Sequence, residues 1–255
     1  MNDRPTSVLI VGATGSVGRY AVAEALRQGY RVRALVRDGA RGRRLGDDVE
    51  LVLGDLTRPD TLTAAVDGVD GVVFVHGTTT RESDVRDVDY AGVANILKAL
   101  GGRRVRIALM TAIGTTRPGV PYAEWKLRGE RLVRASGNPY TVVRPGWFDY
   151  NDDGQRRIVM LQGDTRQSGT PRDGVIARDE IARVLIDSLS SQAADRKTFE
   201  LVAETGPEQR DLTGVFAALE TDAAGSLDGA TDAAVLPLDR EPETFLRDLD
   251  AIGTR

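Results

Sequence analysis

Tyr122 and Lys126 stand four residues apart in the stretch Tyr122-Ala123-Glu124-Trp125-Lys126. On a helix, positions i and i+4 share a face, so phenol and ammonium would point into the same space. A free phenol titrates near 10 and is a poor proton donor or acceptor at neutral pH. A neighbouring ammonium favours the phenolate and draws that pKa toward working pH, which suits acid–base chemistry on a carbonyl or an alcohol. The chain has only three lysines and six tyrosines, so chance seldom supplies this spacing. The hydroxyl that would hold the reacting oxygen is expected from Thr111, which closes an apolar run. The alternative for Thr111 is a strand-end residue satisfied within the fold.

A second constellation points to phosphate. Residues 7–18 read as an apolar strand running into Gly12, Gly15 and Gly18, with Thr14, Ser16 and Val17 completing the turn and a helix pattern behind. Gly12 lets the strand turn sharply, Gly15 lets the backbone approach a pyrophosphate, and Gly18 lets the helix lie close to the sheet. The helix N-terminus then offers free N–H groups and the positive end of its dipole. Arg37 ends the second apolar run, where an arginine pairs with a ribose 2′-phosphate and an acidic residue such as Asp38 would accept from a 2′-hydroxyl. NADP(H) is therefore expected, with NAD(H) as the alternative. Asp55 and Leu56 follow the third run and suit either adenine contacts or, for Asp55, a helix cap. His76 and Gly77 follow the fourth, where His76 is either a contact to cofactor or substrate or a structural imidazole.

These residues must be held by regular elements. Apolar strands are expected at 7–11, 31–36, 49–53, 71–75, 105–111 and 140–144, with helices at 16–28, 59–67, 84–100 and 121–136 and a short one near 40–46. Such alternation gives an α/β fold, a doubly wound parallel sheet with its ligand crevice at the carboxyl ends of the strands. Beyond Arg144-Pro145-Gly146 the pattern loosens: loop over 151–173 with a strand near 158–161, then helix 179–190 and strand 198–202. The small, polar stretch 221–234 reads as a mobile surface loop. The whole chain, 1–255, is expected to be one domain, with 147–178 and 203–255 covering the substrate. Trp147, Phe148 and Tyr150 are candidates for an apolar pocket wall.

Composition removes several classes of function. With no cysteine and the single histidine His76, thiolate catalysis, disulfides and histidine-rich metal sites are excluded, and no metal is expected. A net charge of −4 argues against nucleic acid as a partner. The sequence has no apolar run of membrane-spanning length, so a cytoplasmic protein acting on a small molecule is expected, its oligomeric state open.

Together these motifs resemble the atypical, NAD(P)H-binding branch of the short-chain dehydrogenase/reductase superfamily, which includes NmrA-like and epimerase/dehydratase-like proteins. The resemblance extends through Val88-Asp89-Tyr90-Ala91-Gly92-Val93-Ala94-Asn95-Ile96, the run from Asn138 to Gly146, and Gly174 to Ala182. It implies a Rossmann fold, Tyr122 and Lys126 as a catalytic pair, Lys126 on the nicotinamide ribose, and Pro145 and Gly146 bordering the nicotinamide. Thr111 stands where the family has serine. The resemblance implies an NADPH-dependent reductase of a small carbonyl or quinone-like compound. Its alternatives are a non-catalytic dinucleotide-binding regulator and a sugar-nucleotide epimerase.

Overall fold

The strand β1 (Ser7–Val11) is buried along its whole length, with Val8 and Ile10 in one apolar core and Leu9 and Val11 in another. A strand covered on both faces needs a sheet with helices on either side, and this computed structural model, which describes residues 4–78, 81–233 and 236–253, has that arrangement. The strands β2 (Arg31–Val36), β3 (Val49–Leu53), β4 (Gly71–Phe74), β5 (Arg106–Met110) and β6 (Tyr140–Pro145) extend the sheet in parallel. Two later segments, β7 (Trp147–Phe148) and β9 (Val175–Ile176), pair with each other as a separate ribbon. The edge is completed by β8 (Arg157–Leu161), antiparallel to β10 (Lys197–Glu204). The order is β3-β2-β1-β4-β5-β6-β10-β8, so the strand order reverses between β1 and β4, where a doubly wound sheet opens its crevice.

The helices α1 (Gly18–Arg27), α2 (Ala91–Leu100), α3 (Pro121–Ala135), α4 (Arg178–Ser190) and α5 (Glu243–Gly253) divide between the faces. Ala21, Val22 and Ala25 of α1 join Ile181, Leu185 and Leu189 of α4 over one face. Val93 and Ile96 of α2, Leu132 of α3 and Phe245 of α5 cover the other. The expected helix at 84–100 begins earlier, as Glu82–Asp84, and widens through a π-helical turn at Val85–Tyr90 before α2. The helix expected over 59–67 is two short pieces, Pro59–Thr61 and Thr63–Val66, and the one near 40–46 is likewise split at Gly42.

Between α3 and the β6–β10 side of the sheet the core is ionic. Alternate residues of a strand share a face, and here these are Val142 and Arg144 on β6 and Thr198 and Glu200 on β10. Arg144 donates Nε to Glu130 Oε1 (3.0 Å) and Nη2 to Glu130 Oε2 (2.7 Å), and its two Nη atoms meet Asp232 at 2.7 and 2.8 Å. Arg134 adds Glu130, Asp222 and Thr198, while Arg131 binds Asp228 (2.8 Å) and Glu241 (2.5 Å). Arg128 completes the row on Glu241 at 2.6 Å. Burial alone would raise the Glu130 carboxyl, but Arg144 and Arg134 overcome that and hold it below the usual carboxylate range. The Arg144 guanidinium is correspondingly harder to deprotonate: burial works against it, and Glu130 and Asp232 prevail.

This network corrects two expectations. The stretch 221–234 is not a loose surface loop over its described residues 221–233, because Asp222, Asp228 and Asp232 enter the buried arginines. Nor does the segment 203–253 cover the ligand crevice. Its aspartates and Glu241 draw it onto α3 and β6 instead, and its described residues contribute nothing to the cavities at the strand ends. Within 147–178, Phe148 and Arg178 line both cavities, and Trp147 and Tyr150 line one of them.

Glu200 is the network's weak member. Its Oε2 accepts the Asp164 N–H, its Oε1 lacks a hydrogen bond, and burial pushes its carboxyl up to about 8. A folded pKa above the unfolded one gives stability that is complete below the unfolded pKa and is lost as pH rises through the folded pKa. Glu200→Gln should therefore gain on the native protein in unfolding free energy between pH 5 and 8, by at most about 1.4 kcal/mol per pH unit. Denaturant unfolding at several pH values reads this, and parallel curves for the two proteins would contradict it.

Candidate active site

The turn after β1 is shaped by contacts at each glycine. Gly12 has φ +94°, and a Cβ there would lie 2.6 Å from the His76 Cα. A Cβ at Gly18 would lie 2.1 Å from the Gly12 carbonyl oxygen, so only glycine lets α1 lie this close to the turn. Thr14, Gly15 and Ser16 are exposed, no side chain caps the N-terminus of α1, and its first turn carries no acidic residue. That end of the helix is open to an anion.

Gly12, Thr14, Gly15, Ser16 and Val17 form the floor of a cleft of about 370 Å³, with Arg37, Leu56, His76 and Gly77 along its length. Gly18 and Asp55 lie outside the lining. Gly18 acts behind the turn as the close-packing residue. Asp55 is engaged locally, its Oδ1 accepting from the backbone N–H (2.9 Å) and hydroxyl (2.8 Å) of Thr57, and these bonds hold its carboxyl below the usual range. It shapes the turn before Pro59–Thr61, whereas Leu56, whose carbonyl oxygen accepts from Asn95 at 2.7 Å, faces the cleft. Asp38 is also committed locally, accepting the Ala40 N–H at 2.8 Å as a helix cap, which leaves Arg37 on the cleft wall.

At the far end a second cavity of about 470 Å³ opens, sharing Thr78, Phe148 and Arg178 with the first. Tyr122, Lys126, Pro145 and Gly146 line it together. Pro121 opens α3, where its missing N–H and fixed φ suit a first turn, and Tyr122 and Lys126 follow on one face. The Lys126 ammonium is held by Asp89 at 2.7 Å. Asp89 belongs to the π-helical turn and also accepts from the Thr78 hydroxyl at 3.0 Å. His76 Nε2 sits 3.0 Å from the Asp89 carbonyl oxygen, while its Nδ1 is buried without a partner. Burial lowers the imidazole pKa more than Asp89 raises it, so the ring is neutral at pH 7.

Thr111 is placed elsewhere. Ile107 and Leu109 of β5 face the α3 side, and Thr111 continues that alternation. Its hydroxyl donates to Glu130 Oε1 at 2.7 Å inside the arginine network. The strand-end alternative describes it, and Thr111 lies outside the cavity lining. Ala112 and Ile113 occupy the cavity wall instead. Sequence reasoning also missed Met110, Asp89, Arg117 and Arg178. Met110 was legible from the same alternation. Nothing in the spacing marked Arg178, which stands over the Phe148 ring at 5.2 Å and pairs with Asp149. The segment that follows β4 contributes Gly77 and Thr78 to the cavities, and residues 79–80 lie outside those described.

Among the described residues no helix is long and apolar enough to cross a membrane, and no group of three or more histidines and carboxylates is arranged to hold a metal ion.

The sequence matches the NAD(P)H-binding family over residues 12–192, and the chain belongs to that family. Its strand order and glycine turn agree with the resemblance to the atypical short-chain dehydrogenase/reductases. It is 30% identical over 208 residues to the photosystem II assembly factor Ycf39 of Trieres chinensis, covering 78% of this chain and 65% of that protein. It is 24% identical over 270 residues to sanguinarine reductase of Eschscholzia californica, covering 86% of this chain and 98% of that one. The chain spans just under two thirds of the length of two Ycf39 proteins that it matches. Among solved structures, a Bacillus halodurans protein described as an NAD-dependent epimerase/dehydratase superposes with a TM-score of 0.70 at 24% identity, covering 84% of this chain and 100% of that one.

The uncapped helix end, the glycine cradle and the unpartnered His76 Nδ1 fit a nicotinamide dinucleotide lying along the cleft. Gly18→Ala would force a methyl against the backbone of Gly12 and Ala13. It should weaken NADPH binding by at least about tenfold, or 1.4 kcal/mol, in a fluorescence titration. Unchanged affinity would show that α1 need not pack this closely.

Proposed function

We propose that the protein is an NADPH-dependent reductase of small carbonyl or quinone-like compounds. The observation that carries this reading is that Tyr122 and Lys126 face one apolar cavity that opens directly onto the glycine-turn cleft. The phosphates would rest on Gly12 to Val17, the adenine on Leu56, and the 2′-phosphate on Arg37, with Asp38 already engaged as a cap. Lys126 would hold the nicotinamide ribose, beside Pro145 and Gly146.

The bound dinucleotide supplies a hydride to the carbonyl carbon. As the C=O π electrons move onto oxygen, Tyr122 gives its phenolic proton to that oxygen, and carbonyl plus hydride plus proton becomes an alcohol. Lys126, steadied by Asp89, stabilises the phenolate left behind. With Thr111 turned into the core, the phenol is the hydroxyl that orients the substrate oxygen. Ile113 and Phe148 give the reacting centre an apolar wall.

The likeness to an assembly factor favours a second reading, a dinucleotide-binding regulator without turnover. Tyr122→Phe separates the two. It should cut turnover in a carbonyl and quinone screen by roughly 10²–10⁴-fold while NADPH still binds. Absence of turnover in the native protein across that screen, or equal turnover by the variant, contradicts the reductase.

A further inference from the structure

The substrate cavity carries more positive charge than a neutral carbonyl compound needs. Three cations line it: Lys126, Arg178 and Arg117. Lys126 is paired with Asp89 and Arg178 with Asp149. Among the described residues Arg117 has neither a carboxylate within ion-pair distance nor a side-chain hydrogen bond, although its backbone N–H is fixed on the Gly114 carbonyl at 3.1 Å. Its guanidinium lies against Gly169, where a Cβ would be 3.6 Å from Nη1, so the planar group rests beside bare backbone. Asp173 is the one carboxylate on the lining, and it is occupied: its oxygens accept the N–H groups of Ser168 and Gly169, each at 2.8 Å.

Much of the remaining wall is apolar. Trp147 and Tyr150 stand edge to face with centroids 6.0 Å apart, and both are exposed, Tyr150 by 60%. Ile113 and Phe148 join them in the cavity. Exposed aromatics clustered at a cavity mouth mark a ligand surface, and a guanidinium without a partner on its rim is suited to a carboxylate.

We propose that the natural substrate is a planar, apolar carbonyl compound bearing a carboxylate, with its ring in the corner formed by the perpendicular Trp147 and Tyr150 rings and its carboxylate on Arg117. The inference rests on reading this cavity as the substrate site of a reductase. The probes are 9-fluorenone-2-carboxylate and its neutral methyl ester, titrated into the full chain with NADP⁺ present while tryptophan fluorescence is followed. Trp147→Phe assigns the signal by leaving only Trp125. The carboxylate should bind at least about tenfold more tightly than the ester. Arg117→Gln should bring the ratio of dissociation constants close to one, and Arg117→Lys should restore part of it. Equal binding of both probes, binding of neither up to 1 mM, or a ratio unmoved in Arg117→Gln would each overturn the proposal. Turnover is then measured separately with NADPH. A preserved binding preference without turnover sinks the reductase and keeps the anion site, whereas turnover with preference for the ester does the reverse.

Discussion

Glu130 lies fully buried between the guanidinium groups of Arg134 and Arg144, and the placement of α3 depends on that contact. Two hydrogen bonds to Arg144 tie the helix to β6, while Arg134 and Arg131 tie it to the C-terminal strap through Asp222 and Asp228. Buried ion pairs add little net stability over a well-packed apolar core, but removing one partner leaves a stranded charge that costs about 3–5 kcal/mol. The network's contribution is therefore geometric. It permits one rotation of α3 about its axis, and that rotation turns Tyr122 and Lys126 toward the cavity at the strand ends.

The cleft and the cavity divide the electrostatic work. At the glycine turn, the uncapped end of α1, with no acidic residue in its first turn, offers backbone N–H groups and the positive end of its dipole to negative charge. At the far end, charge is carried on side chains and is mostly neutralised in pairs, Lys126 by Asp89 and Arg178 by Asp149. The π-helical turn aims Asp89 at Lys126 and its carbonyl at His76, so one irregular turn supports both the ammonium and the imidazole. Extra residues of this kind in a helix are frequent where function needs a side chain re-aimed.

Strands β1, β2 and β3 were legible to the residue because short runs rich in Val, Leu and Ile, each ending at a glycine or a charged residue, read as strands of a parallel sheet. The glycine turn and the Tyr122–Lys126 pair were legible because their chemistry depends on short spacings. The arginine network was not. Arg144 and Asp232 are 88 residues apart, and Arg128, Arg131 and Arg134 at spacings of three look like an ordinary solvated helix face. By composition alone, 221–234 is a loop, because nothing local reveals that its aspartates have buried partners. Thr111 could have been placed: the period of two along β5 sends it toward α3 and not into the crevice.

The central claim is that a phosphorylated nicotinamide dinucleotide lies along the glycine-turn cleft with its 2′-phosphate on Arg37. Parallel fluorescence titrations of the native protein with NADPH and NADH, at moderate salt and after removal of any co-purified dinucleotide, test it most directly. Saturable binding of both, with NADPH tighter by roughly tenfold or more, is the predicted result. No saturable binding of either, or NADH binding as tightly as NADPH, would contradict it.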